Sequence, residues 1–147
     1  MDKPSKPEVD LAASCACGAV SVSVRGRILA MLLCSCLDCQ KATGTGHSAV
    51  ALAAPATVTI TGETRSFARP ADSGALFTRR FCPTCGTPIA GSSSRAPEAI
   101  MLPVGLFGAD AEWFVPNQLI FARSRHDWDT MAEGLPRYIR YRDSGEI

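Results

Sequence analysis

The sequence predicts a mainly β protein of short antiparallel strands with little helix. Valine at positions 20, 22 and 24 alternates with serine at 21 and 23, which is the period-2 pattern of a half-buried strand. Further short apolar runs follow at close spacing, separated by Gly, Pro, Asn or Asp. Many short strands without alternating helices indicate an all-β architecture.

The first strand is expected at residues 19–24, and only residues 38–43 favour a helical turn, which Gly44-Thr45-Gly46 would end. The later strands are expected at residues 30–33, 48–53, 57–61, 64–68, 75–81, 87–90, 99–104 and 118–123.

Residues 1–10 contain two prolines and five charged residues, which predicts a disordered tail. Residues 11–147 show neither a linker nor a repeat, and their number is typical of one domain. The longest apolar runs, residues 28–34 and 49–56, are much shorter than the roughly 20 residues that a membrane helix needs. We therefore expect a soluble, cytoplasmic protein with a single domain.

Charge gives little reason to expect a nucleic-acid partner. The formal net charge is +1, and the sequence lacks a long block of Lys and Arg that could follow a phosphate backbone.

Seven cysteines fall into three clusters and carry most of the functional information: Cys15 and Cys17; Cys34, Cys36 and Cys39; Cys82 and Cys85. Disulfides explain them poorly, because the number is odd and cysteines one residue apart would form strained bridges. Zinc explains them better, since thiolates of neighbouring residues can share one ion, and Cys82-Pro83-Thr84-Cys85-Gly86 is typical of a zinc-binding turn.

Ligand counting predicts two different zinc sites. A structural zinc takes four protein ligands, so the two clusters with two cysteines each would form one closed site: Cys15, Cys17, Cys82 and Cys85. The middle cluster supplies three ligands and leaves one position for water or substrate: Cys34, Cys36 and Cys39. His47 or Asp38 could instead close this second site, and the three cysteines could also be buried, metal-free or redox-active.

The chain resembles the glutathione-dependent formaldehyde-activating enzyme family, which also includes the centromere protein V domain. The resemblance extends over about residues 11–137. It rests on SCACGAV at 14–20, CSCLDCQKATG at 34–44, RFCPTCGTP at 80–88, and Trp128 with Gly134-Leu135-Pro136.

This resemblance implies an Mss4-like fold held together by zinc, with one structural zinc and one catalytic zinc per chain. The structural ion would be bound by the first and third clusters, and the catalytic ion by Cys34, Cys36 and Cys39. It further implies a carbon–sulfur lyase that joins glutathione, as co-substrate, to formaldehyde and yields S-(hydroxymethyl)glutathione. Gln40 departs from the family, because many relatives carry an arginine there that could hold a carboxylate.

Substrate contacts are expected near the middle cluster. Lys41 could bind a carboxylate of the substrate, and His47 could donate or accept a proton. Other cations that could hold a glutathione carboxylate are Arg79, Arg80, Arg123 and Arg125. His126 lies among charged residues and is expected in a solvated turn.

Two other functions remain open at this point. Both zinc ions could stabilise a non-enzymatic module that binds a protein partner, or the three middle cysteines could exchange thiols as a redox centre.

Overall fold

A computed structural model describes residues 6–147, which form two compact units. Unit 1 comprises the described residues through Ala30 together with Ala51–Trp113, and unit 2 comprises Met31–Val50 together with Phe114–Ile147. Each unit draws on two separate stretches of chain, and a single domain over residues 11–147 stays a prediction.

The secondary structure is dominated by strands. They are β1 (Glu8–Ser14), β2 (Ser21–Cys34), β3 (Ser48–Ala53), β4 (Val58–Thr61), β5 (Arg65–Pro70), β6 (Leu76–Phe81), β7 (Pro88–Ser93), β8 (Ile100–Pro103) and β9 (Leu119–Ile120). The described residues contain one α-helix, α1 (Leu37–Thr43), and short 3-10 turns at Pro55–Thr57, Val104–Phe107, Ala122–Ser124 and Arg142–Ser144. Strand accounts for 41% and helix for 14% of the residues that the structure describes, so the expected mainly β class is confirmed.

In unit 1, β2 lies between two antiparallel neighbours, β1 and β4. The alternation that predicted the strand has a direct structural cause, because Val22 and Val24 are buried while the serines beside them are exposed. Strands β5, β6, β7 and β8 pair antiparallel in chain order. Ile89 in β7 and Leu102 in β8 are fully buried in the core of the unit.

The predicted disordered tail is wrong for its last residues, because Glu8 to Asp10 begin β1. Their charges pair across the strands: Glu8 lies opposite Arg27 and Asp10 opposite Arg25, with ion pairs of 3.3 and 3.4 Å. These exposed ion pairs add little stability, but they favour the observed alignment of β1 with β2. Residues 1–5 of the predicted tail lie outside the described residues.

Two further expectations about strands are wrong. The strands expected at residues 19–24 and 30–33 are one continuous strand, β2, which passes Gly26 in a conformation with φ 149° that favours glycine. The strand expected at residues 118–123 shortens to Leu119–Ile120, because Phe121 adopts a left-handed conformation and a 3-10 turn follows it.

In unit 2, β9 pairs parallel with the end of β2, with Leu33 opposite Leu119 and Cys34 opposite Ile120. Leu119 is fully buried, and the ring of Phe121 meets Tyr141 edge to face at 4.9 Å. This pairing fixes the end of β2 from which the middle cysteine cluster begins. Within residues 6–147, no helix has the length and apolar character to span a bilayer.

Candidate metal centres

Two tight turns in unit 1 carry the first and third cysteine clusters. In the first turn, the Gly18 N–H donates to the Cys15 carbonyl at 3.0 Å, and in the second the Gly86 N–H donates to the Cys82 carbonyl at 2.9 Å. Both glycines have positive φ, 82° and 76°, which other residues adopt only with strain. Each turn therefore depends on the glycine that follows its cysteine pair.

The turns bring four sulfur atoms together, and these form the four-cysteine group: Cys15, Cys17, Cys82 and Cys85. All four Sγ atoms lie within 4.8 Å of one another, with 3.6 Å between Cys15 and Cys17 and 3.7 Å between Cys17 and Cys82. Zn–S bonds of about 2.3 Å in a tetrahedron place the sulfur atoms about 3.8 Å apart. The observed separations fit one tetrahedral zinc ion.

The pKa values in this group diverge because the thiols compete for ionisation. The Thr87 hydroxyl, 3.1 Å from the sulfur, and the Thr87 backbone lower the pKa of Cys85 to about 5. At Cys17 the Ala19 backbone lowers the pKa, but desolvation and the neighbouring thiols outweigh it and raise the value to about 11. A divalent cation would remove this competition, since it favours every thiolate at once.

The middle cluster forms the three-cysteine group in unit 2: Cys34, Cys36 and Cys39. Cys34 is the last residue of β2, Cys36 caps the N-terminus of α1, and Cys39 lies in the first turn of that helix. The Cys39 N–H donates to Cys36 Sγ at 3.2 Å, so the helix cap also fixes the direction of this thiol. The helix ends at Thr43, where the sequence predicted, and the Gly44 that caps it has a left-handed φ of 74°.

The Sγ atoms of the three-cysteine group lie within 4.8 Å of one another. The thiols of Cys36 and Cys39, together with burial, raise the pKa of Cys34 well above its usual value. At Cys39 the contact with Cys34 lowers the pKa, but Cys36 and burial outweigh it and raise the value to about 11. Within residues 6–147 neither His47 nor Asp38 joins this group, so the described chain offers three donors for a tetrahedral ion.

Gln40 holds the backbone around the three-cysteine group in place. Its side-chain nitrogen donates to the carbonyl of Ser35, which lies between two of the cysteines, at 2.9 Å and to the carbonyl of Ser124 at 3.0 Å. Its Oε1 lies 2.8 Å from His126 Nε2. The sequence presented Gln40 as the loss of a cation, whereas the structure gives it hydrogen bonds to three partners.

Each of the two histidines has a polar side-chain partner. His47 Nδ1 lies 2.7 Å from Asp129 Oδ2, and Asp129 is buried. The expected solvated turn at His126 is wrong, because this half-buried ring stacks on Trp128 at 5.0 Å and bonds Gln40. Asp129 was missed, since a lone aspartate 82 residues from its partner gives no signal in one sequence.

The predicted cations occupy different places. Lys41 is exposed in the last turn of α1. Arg125 forms an ion pair of 3.7 Å with Asp127, and its buried Nε atom has no hydrogen-bond partner among residues 6–147. The remaining predicted cations are Arg123, over the Phe121 ring in unit 2, and Arg79 and Arg80, in β6 of unit 1.

Comparison with known proteins identifies the fold and the family of the chain. The crystal structure of a Rhodobacter sphaeroides protein, a structural genomics target, has the same fold, with a TM-score of 0.54 and 19% identity over 67% of this chain and 89% of that chain. No curated protein matches the chain. The sequence model described as glutathione-dependent formaldehyde-activating enzyme matches residues 10–124, which include all seven cysteines. The chain therefore belongs to the glutathione-dependent formaldehyde-activating enzyme family.

Proposed function

We propose that this protein is a zinc-dependent carbon–sulfur lyase that adds glutathione, or a related thiol, to formaldehyde or a similar small aldehyde. The observation that carries the proposal is the three-cysteine group, which within residues 6–147 gathers three sulfur atoms and no fourth ionisable donor. An ion held there by Cys34, Cys36 and Cys39 keeps one position for a substrate. The four-cysteine group, complete by itself, would hold a structural ion.

Family membership supports this reaction class. Addition of a thiol to formaldehyde is slow near neutral pH because a free thiol with a pKa near 8.5 is mostly protonated. A zinc ion, when bound, would stabilise the substrate thiolate in its open position. The three thiolates around it already neutralise its charge, which favours thiol binding over strong polarisation of the aldehyde oxygen.

The chain's own residues would bind the rest of the substrate and carry the proton. His47 is the proposed proton carrier, since its ring is only partly exposed and an acidic partner orients it. Lys41 is proposed to bind a glutathione carboxylate, and Arg125, whose side chain is partly exposed, is a second candidate. Reduced thiols at all seven cysteines are compatible with the cytoplasm, which we propose as the compartment.

The test combines a metal count with ligand binding. We expect two zinc ions per chain, and calorimetry should show glutathione binding at least about 10-fold more tightly than S-methylglutathione, whose sulfur cannot ionise. The zinc-loaded protein should also accelerate loss of formaldehyde in the presence of glutathione. Cys36→Ser is the matched variant, and it should abolish both the thiol preference and the acceleration. Equal affinity for the two peptides in the native protein would contradict the proposal.

A non-enzymatic binding module is the second candidate, and one surface favours it. Strands β5 and β6 place arginine opposite phenylalanine three times, at Arg65 and Phe81, Phe67 and Arg79, and Arg69 and Phe77. Two of these arginines lie over the Phe77 ring, at 4.9 and 5.9 Å from its centre. A module of this kind would bind neither peptide in the calorimetric test.

A further inference from the structure

We propose that Asp129 is a positioning residue that fixes the imidazole of His47 with its proton on Nδ1, so that Nε2 can carry a proton during thiol addition. This inference rests on the proposed function. Asp129 lies beyond the residues 10–124 that the family model matches, so it is a feature of this chain rather than part of that match.

The pair is short and protected from water. His47 Nδ1 and Asp129 Oδ2 are 2.7 Å apart, and the aspartate side chain is only 8% exposed while the histidine ring is 25% exposed. A carboxylate only accepts hydrogen bonds, so Nδ1 must be the protonated nitrogen. In neutral histidine Nε2 then keeps its lone pair, and this nitrogen is the base.

A glycine makes the close approach possible. Gly46 is buried, and a Cβ atom built there would lie 2.6 Å from Asp129 Cγ and would collide with Oδ2. The backbone at Gly46 does not require glycine for its dihedral angle, since its φ is not in the left-handed region. Space for the carboxylate is therefore the physical reason for this glycine.

The loop that carries His47 is attached to the helix of the three-cysteine group. The Thr43 hydroxyl lies 2.9 Å from the Cys39 carbonyl and 3.3 Å from the His47 carbonyl, so it can donate to either. The Thr43 hydroxyl therefore links the backbone of His47 to that of a proposed metal ligand.

The proposed proton path balances. The thiol S–H bond breaks and a C–S bond forms, while the carbonyl π bond of the aldehyde becomes a C–O single bond whose oxygen needs a proton. His47 Nε2 accepts the proton from sulfur and returns it to that oxygen, so the histidine ends as it began. The Asp129 carboxylate stabilises the imidazolium that exists between the two transfers.

The second histidine is an internal control, because its tautomer is fixed in the opposite way. The Gln40 nitrogen already donates to two carbonyls, so its Oε1 must accept from His126 Nε2–H. The chain has two histidines. Nitrogen-15 NMR of the zinc-loaded protein at about pH 8 should therefore show one ring of each tautomer, with His47 protonated on Nδ1 and His126 on Nε2.

The decisive variant is Asp129→Ala, with Asp127→Ala as the matched control, since Asp127 lies two residues away and is fully exposed. Asp129→Ala should remove the preference of His47 for Nδ1–H, leave His126 unchanged, keep both zinc ions and lower kcat about 100-fold with KM nearly constant. Asp127→Ala should behave like the native protein. Gly46→Ala, which displaces the carboxylate without deleting it, should change His47 in the same direction and serves if Asp129→Ala folds poorly.

Three results would overturn the inference: an Nε2–H tautomer at His47 in the native protein, an unchanged kcat in a folded Asp129→Ala protein, or a loss of kcat that occurs only with loss of zinc. Failure of the proposed function looks different. In that case the native protein would not accelerate formaldehyde loss with glutathione, whatever the tautomer of His47.

Discussion

Replacing Gln40 by glutamate should loosen the three-cysteine group, although the two side chains have almost the same shape. The Gln40 amide nitrogen donates to the carbonyls of Ser35 and Ser124 at 2.9 and 3.0 Å. An ionised glutamate has no donor to replace these bonds, and it would place a carboxylate oxygen against two carbonyl oxygens. Its second oxygen could still accept from His126.

The expected cost follows from the number of acceptors that lose their partner. One buried carbonyl without a donor costs about 1–3 kcal/mol, and two are affected here. Both bonds are only partly buried, so water can replace part of the loss, and we expect about 2–4 kcal/mol. The Ser35 carbonyl lies between Cys34 and Cys36, so this loss of free energy would destabilise the zinc-binding conformation of the cysteine loop. Zinc affinity then falls by about 10-fold for each 1.4 kcal/mol lost.

Competition with a chromophoric chelator and thermal unfolding would measure both effects. The control is Lys41→Gln, which changes the net charge by the same amount on the neighbouring residue of α1 but affects an exposed side chain. Gln40→Glu should lose zinc from the three-cysteine group before the control does and should unfold at a lower temperature. Equal zinc affinity and equal unfolding temperature in the two variants would show that the amide bonds do not hold the cysteine loop.

Three other perturbations test the remaining structural claims. Cys82→Ser should prevent stable folding, because a structural zinc contributes about 10–16 kcal/mol in small domains, whereas Cys36→Ser should keep the fold. Equal losses of unfolding free energy in the two variants would contradict the assignment of one structural and one functional site. Acidification should release zinc first from the three-cysteine group, where the pKa values of Cys34 and Cys39 are both raised, so protons compete strongly with the metal. In the four-cysteine group the pKa of Cys17 is raised, but those of Cys15 and Cys85 are lowered. Metal analysis of protein dialysed between about pH 8 and pH 5 measures the order of release, and the reverse order would contradict this reasoning. Gly62→Ala should destabilise the protein by about 2 kcal/mol or more, because its Cβ would collide with the Ala19 carbonyl. The control is Gly74→Ala, which is also at positive φ but has open space around it, and it should lower the free energy of unfolding measured with denaturant by less.

The elements that could be predicted from sequence are those whose signals are local. The strand at residues 48–53 was predicted with its observed bounds, because its apolar residues lie within the element itself. The helix predicted at residues 38–43 lacks only Leu37, the first residue of α1, because the glycine that ends the helix follows it directly in the sequence. The cysteine groups were predictable for a similar reason. Each cluster is a short motif, and the number of ligands that zinc requires decides how the clusters combine.

What could not be predicted depends on partners far along the chain. Glu8 and Asp10 look like a solvated tail until Arg27 and Arg25 lie opposite them on β2. Asp129 acquires its role only beside His47. In each case the charged residue is uninformative alone, and its partner is fixed by tertiary structure that no periodic pattern reveals.

The two cysteine groups differ in a way that suits them to different tasks. Sulfur atoms in the four-cysteine group come from turns 65 residues apart, as Cys17 and Cys82 show, so an ion there closes a long loop and stabilises the folded chain. The three-cysteine group lies within six residues and is organised by a helix cap and by the Gln40 amide. Because local hydrogen bonds already order these ligands, exchange of a fourth partner at the metal would not require the chain to unfold, and this is the condition that a site for turnover must meet.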